Sequence, residues 1–282
     1  MRRVGIMQGR LLPPVSNRIQ AFPGPRWEEE FASAATLGLA TIEWVLESPL
    51  ETNPLWTESG CRRIRKVVEK TGVTVEFICA DYFMESPFVR MALADRERNQ
   101  SVLRHLIGQA ASLGLIGIEI PMVDSSRIES VAEEEELIAA LRPCLDAAAE
   151  NGIQIGLETS LGPERFRGLL ERFDHPAIRA NYDTGNSASL GYEPAEEIGA
   201  YGKWINNIHI KDRKRGGGTV PLGTGSADIP RVLRLLQNLP YSGAFILQAA
   251  RGSEESETAR GYLEQFRRLE AGLDSVANEY SV

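Results

Sequence analysis

Glu158, Asp183, His209 and Gln248 each stand where a short apolar run ends: Ile153-Gln154-Ile155-Gly156-Leu157-Glu158, Ile178-Arg179-Ala180-Asn181-Tyr182-Asp183, Ile205-Asn206-Asn207-Ile208-His209 and Ala244-Phe245-Ile246-Leu247-Gln248. Intervals of 25 and 26 residues separate the first three, about the length of one strand-plus-helix unit. Consecutive units of that length carry strand-end side chains to one rim of a parallel barrel. Three oxygen donors and one imidazole gathered there make the outline of a divalent-metal site.

The elements that must position these residues are legible as short β-branched runs alternating with longer amphipathic segments. Earlier runs are Val4-Gly5-Ile6-Met7, Thr41-Ile42-Glu43-Trp44-Val45, Val73-Thr74-Val75-Glu76-Phe77-Ile78 and Gly117-Ile118-Glu119-Ile120, which brings the total to eight. Helical periodicity fills the intervals, as in residues 27–37, 60–70, 97–113 and 130–150. Several of these segments end in the glycine that a helix C-terminus favours, at Gly38, Gly72, Gly114 and Gly152. Eight such units predict a single (β/α)8 TIM barrel spanning residues 1–282, in preference to an open doubly wound sheet. Three long connections, residues 8–26, 80–95 and 211–227, fall at strand C-terminal ends, where barrel active sites are built.

Composition narrows the class. A net charge of −8 and a pI near 5.2 disfavour a nucleic-acid partner, since such proteins depend on clustered Lys and Arg. Small anionic substrates remain compatible with a few local arginines. Cys61, Cys79 and Cys144 are odd in number and scattered, fitting neither a disulfide framework nor a cysteine zinc motif, and point to a reducing cytoplasm. No run approaches the ~18 apolar residues of a membrane span, and Gln8 and Arg10 interrupt the N-terminal stretch too early for a signal peptide. The sequence is compatible with a homo-oligomer.

The strand-end stretches Gly156-Leu157-Glu158-Thr159, Asn181-Tyr182-Asp183-Thr184-Gly185-Asn186, Ile208-His209-Ile210-Lys211-Asp212 and Leu247-Gln248 resemble those of the xylose-isomerase-like barrel superfamily of sugar and sugar-phosphate isomerases and epimerases. Ile6-Met7-Gln8-Gly9-Arg10 and Pro221-Leu222-Gly223-Thr224-Gly225 are similar to further stretches of that group. The resemblance implies one divalent ion (Mn2+, Mg2+, Co2+ or Zn2+) held by Glu158, Asp183 and His209. The fourth family ligand is a glutamate after strand eight, and here Gln248 takes its place. An amide oxygen can still coordinate a hard ion, but it brings no charge and no base. Trinuclear-zinc endonucleases of the same superfamily need more histidines than this chain has. Asn186, three residues after Asp183, stands where those enzymes carry one.

The resemblance thus implies a metal-dependent isomerase or epimerase for a sugar or sugar phosphate, with Glu158 removing a proton beside a carbonyl to give an enediolate. Without a glutamate at 248, inversion lacks its opposite-face acid. A 1,2-shift is therefore favoured over epimerisation unless Glu43, Lys211 or Asp212 supplies the proton. A dehydratase would use the same enediolate, and a barrel that binds sugar without turning it over is the reading from a different class. Substrate contacts are expected from Gln8 and Arg10 at the first strand mouth, Glu43 in the second strand, Asn186, Lys211 and, by loose family correspondence, Arg215. His105 and His175 lie away from strand ends and read as structural. The aromatics Trp27, Trp44, Trp56 and Phe83 read as core.

Overall fold

The structure is a computed structural model and describes residues 1–279. Its strands are β1 (Val4–Met7), β2 (Thr41–Val45), β3 (Phe77–Cys79), β4 (Gly117–Met122), β5 (Gln154–Thr159), β6 (Ile178–Asp183), β7 (Ile205–Ile210), β8 (Asp212–Arg213), β9 (Thr219–Val220) and β10 (Phe245–Leu247). All but β8 and β9 form a closed barrel in the order β1-β10-β7-β6-β5-β4-β3-β2, every pair parallel. The remaining two strands make an antiparallel hairpin within the connection after β7. Helices α1 (Trp27–Leu37), α2 (Glu58–Thr71), α3 (Tyr82–Glu85), α4 (Leu93–Leu113), α5 (Val131–Glu150), α6 (Pro163–Phe173), α7 (Thr184–Leu190), α8 (Pro194–Tyr201), α9 (Ile229–Leu236) and α10 (Glu255–Glu279) occupy the intervals between barrel strands and the stretch after β10. This is the expected (β/α)8 barrel.

The chemistry of the termini explains where the elements stop. Thr57 and Ser130 accept from the third backbone N–H of α2 and α5, and Asp228 does the same for α9 with Pro230 in its first turn. Gly38, Gly72 and Gly114 close α1, α2 and α4 in the left-handed region. The acidic run from Glu133 begins in the first turn of α5, and Glu134 is buried between Arg165 and Arg172 of α6. The third strand is shorter than its apolar run, since Val73 and Val75 are buried ahead of it and Thr74 makes only an isolated bridge to Thr41. Trp27, Trp44 and Phe83 are fully buried, and Trp27 and Trp44 pack edge to face. Trp56 is partly buried, packed against the core and against the ring of His105. His175 meets Asp146 across the helix layer.

Three devices fix the loops over the C-terminal rim. Gly9 turns the chain out of β1 at φ +85, where a Cβ would also strike the Ala21 carbonyl. Glu30 accepts from the Gly9 and Leu11 amides (2.9 and 3.1 Å), while Arg251 donates to the carbonyls of Gly9, Leu12 and Ile19. Asp212, buried, accepts from the amides of Gly223, Gly225 and Ala227 (2.9, 2.8 and 3.0 Å). The long glycine-rich connection is thus pinned at its base by one carboxylate. Cys61, Cys79 and Cys144 are free and buried. No helix among the described residues is long and apolar enough to cross a membrane.

Candidate active site

An open cleft of about 740 Å³ lies over the C-terminal rim, and all three long connections contribute to its wall through Arg10 and Gln20, Asp81, and Lys211 and Thr219. Glu158, Asn186, Gln248 and Glu119 also line it. Asp183 is the last residue of β6, while Glu158 and His209 each sit one residue before the end of β5 and β7. A register shift after Ala180 places Asp183 directly opposite His209. Without that bulge it would face Ile208.

Glu158, Asp183 and His209 each bring one ligand atom to a common point, all within 4.8 Å of one another. Nδ1 of His209 lies 3.7 Å from Glu158 Oε2 and 3.9 Å from Asp183 Oδ2. The other oxygen of Asp183 accepts from the amides of Gly185 and Asn186 (both 2.8 Å) and so caps α7. A helix cap and a candidate ligand are thereby one side chain, with its second oxygen 3.3 Å from Lys211 Nζ. Gly185 is required because the Lys211 stem crosses it; a Cβ there would come within 2.7 Å of Lys211 Cγ. Glu158 accepts from Asn186 Nδ2 on Oε1 and from Asn181 Nδ2 on Oε2, the second at 3.1 Å. Arg213 in turn donates to Asn186 Oδ1 at 2.8 Å, fixing which face of that amide meets Glu158.

Behind this layer Glu43 accepts from His209 Nε2 (3.0 Å) and, on both oxygens, from Asn207 Nδ2 (2.9 Å). A carboxylate behind the imidazole orients the ring and keeps Nδ1 toward Glu158 and Asp183. Burial works against a charged imidazole, but Glu43 and then Glu158 and Asp183 outweigh it and raise the His209 pKa to about 8. Metal uptake would therefore displace a proton. Glu43→Gln is expected to weaken metal binding by about 10–100-fold, measurable by titration with Mn2+; unchanged affinity would show that the ring needs no such support.

Glu43, Glu119, Glu158 and Asp183 are all buried, and among the described residues only His209 and Lys211 make ion pairs with this group. Gln248 is 5 % exposed and its Oε1 is buried with no hydrogen-bond partner. Excess buried negative charge, with an orphaned amide oxygen on a residue lining the same cleft, suits a divalent cation. The residues present fit the ion.

The structure brings Arg10, Asn186, Lys211 and Gln248 to the cleft with Glu158, and Asp183 and His209 to the same centre. It brings neither Gln8 nor Arg215 there, and Glu43 joins the centre through His209 without lining the cleft. Gln8 is fully buried and accepts from the Val45 amide, tying β1 to β2. Glu43 points into the barrel, as its apolar flanks required, but beneath His209 instead of into the cleft. Arg215 is exposed and packs its guanidinium against Gly191, so the loop arginine joined to the centre is Arg213. Asp212, spent on three backbone amides, has no free oxygen to offer as an acid.

Sequence reasoning missed Glu119, Asp81 and Gln20. Glu119 is 1 % exposed with neither oxygen partnered. Burial first, then the charges of Glu158 and Glu43, push its pKa well above the usual carboxylate range. Its signal was a charged residue inside the apolar run Gly117-Ile118-Glu119-Ile120. Asp81 is raised to about 6, by burial above all. Gln20 stands in an irregular loop, where no periodicity marks it. Arg10 is 7 % exposed with Nε and Nη1 unpartnered. Burial and then the neighbouring Arg251 push its pKa down to about 10.

A parallel eight-stranded barrel with a buried carboxylate–histidine centre at its C-terminal rim defines the class of molecule. The chain belongs to the xylose isomerase-like TIM barrel family, whose model matches residues 31–271. Among sequence relatives, a putative L-ribulose-5-phosphate 3-epimerase of Haemophilus influenzae is 22% identical over 240 residues, 79% of this chain and 83% of that protein. Among solved structures, an L-ribulose 3-epimerase superposes with a TM-score of 0.78 at 16% identity, covering 100% of this chain and 99% of that one. A family member from Mycobacterium smegmatis in complex with magnesium superposes with a TM-score of 0.71 at 21% identity, covering 97% and 98%.

Proposed function

We propose that this chain is an isomerase or epimerase acting on a sugar or sugar phosphate, dependent on one divalent ion and working by proton transfer beside a carbonyl. The convergence of Glu158, Asp183 and His209 on one point carries the reading, and Gln248, with its orphaned oxygen, lines the same cleft. These four side chains would hold the ion. When bound, such an ion supplies polarisation of the carbonyl and adjacent hydroxyl oxygens. Glu158 takes the proton from the neighbouring carbon, with Asn181 and Asn186 aiming its two oxygens. Arg10, which lines the cleft, meets an anionic or hydroxyl group of the substrate.

The enediolate left by proton loss has two fates. Glu158 alone can return the proton to the adjacent carbon from the same face, which is a 1,2-shift. Inversion needs a second donor; the Gln248 amide is none, but Lys211 and Asp81 both line the cleft. The site with one evident base favours the shift, whereas the name carried by the 3-epimerase relatives favours inversion. Incubation of ketoses and ketose phosphates with the metal-loaded protein in deuterated water, read by NMR, tests both. Deuterium beside the carbonyl is expected, and the product formed identifies the fate. A metal-loaded protein that labels no ketose overturns the proposal in favour of a dehydratase or a sugar-binding barrel.

A further inference from the structure

Gln248 can serve a cation only if its oxygen, and not its amide nitrogen, faces the centre. We propose that Gln20 is a positioning residue that selects this orientation, itself held between Asp81 and Arg10. The inference rests on reading the centre as a metal site. Gln20 Nε2 donates to Asp81 Oδ2 at 2.8 Å, and an ionised carboxylate can only accept. On its other side Gln20 Oε1 lies 3.5 Å from Arg10 Nη2, and a guanidinium can only donate. Both neighbours therefore demand the same orientation of the Gln20 amide. Its oxygen is left to accept from Gln248 Nε2 at 2.9 Å. That contact turns Gln248 Oε1 away from the loop, and this is the oxygen found buried and unpartnered on a residue lining the cleft that Glu158 and Lys211 also line.

The opposite orientation has an obvious attraction in the ion-free protein. Buried carboxylates of Glu119, Glu158 and Asp183 lie at the same rim, and an inward amide NH2 would donate to them and present hydrogens to the incoming ion. A glutamate at position 248 has two equivalent oxygens and no such choice to make. The device is thus a consequence of having glutamine there. The loop bearing Gln20 is rigid enough to impose it, because Glu30 and Arg251 hold its backbone at five points.

Mn2+ affinity measured by electron paramagnetic resonance on four proteins tests this: wild type, Gln20→Met, Gln248→Glu and the double variant. Methionine keeps the length and volume of glutamine while removing the acceptor. Gln20→Met is expected to weaken Mn2+ binding by about tenfold, the worth of one hydrogen bond, in the wild-type background. In the Gln248→Glu background the same change should cost nothing or tighten binding slightly, since it removes an oxygen facing a carboxylate. Equal losses in both backgrounds, or no loss in either, overturn the inference while leaving the metal site standing. A folded wild-type protein that binds no Mn2+ overturns the metal reading, and this inference with it.

Discussion

Glu158→Gln is expected to lower deuterium exchange into the substrate by about 10²–10⁴-fold, the usual worth of a positioned general base, while the protein remains folded. The substitution keeps the shape and one oxygen, but its amide cannot take a proton. It also has a local conflict. Both Glu158 oxygens accept from amide NH2 groups, of Asn181 and of Asn186, so a glutamine must turn its own NH2 toward one of them. Metal binding should therefore weaken as well, and exchange is best compared at saturating metal. Thermal stability is expected to hold or rise, because one of four buried carboxylates crowded at the centre loses its charge. Retained exchange with metal bound would move the base to another cleft residue, Asp81 or Lys211.

His209→Ala is expected to act on binding and on stability together. Loss of the imidazole should weaken divalent-ion binding by more than about a hundredfold, since even groups that only orient a ligand are worth about 10–100-fold. The same change strips Glu43 of its partner in the barrel interior and leaves it only the Asn207 amide. Removing one member of a buried pair costs about 3–5 kcal/mol, so the urea midpoint should fall markedly. Adding Glu43→Gln to the alanine variant should restore much of that stability and none of the metal affinity, because the buried charge disappears while the ligand stays missing. If the double variant unfolds as readily as the single one, the loss lies in the cavity left by the ring and not in the stranded carboxylate.

The barrel was readable because the eight runs and their intervening helices repeat a local rule, apolar strand then amphipathic helix, that needs no knowledge of distant contacts. Glu158, Asp183 and His209 were readable for a related reason: each ends an apolar run, and in a parallel barrel all strand ends meet at one rim. Residue type then limits the chemistry, since two carboxylates and one imidazole at a shared point have few uses other than holding a cation or moving a proton.

Direction and depth were decided by the tertiary structure. Glu43 and Glu119 both stand inside apolar runs, yet one lies under His209 and the other lines the cleft, because strand stagger sets their heights. The bulge after Ala180 that sets Asp183 against His209 belongs to the pairing of two strands and to neither alone. Arg213 reaches Asn186 while Arg215, two residues on, rests against Gly191 in solvent, a choice made by the fold of the hairpin. Gln20 shows the limit most clearly. It lies 228 positions from Gln248 in the chain, in a loop with no periodicity, and acquires its role only where closure of β1 against β10 brings the two amides together. Sequence determines which groups exist and which rim they approach; three-dimensional closure determines which of them touch, because hydrogen-bond polarity acts only across a contact.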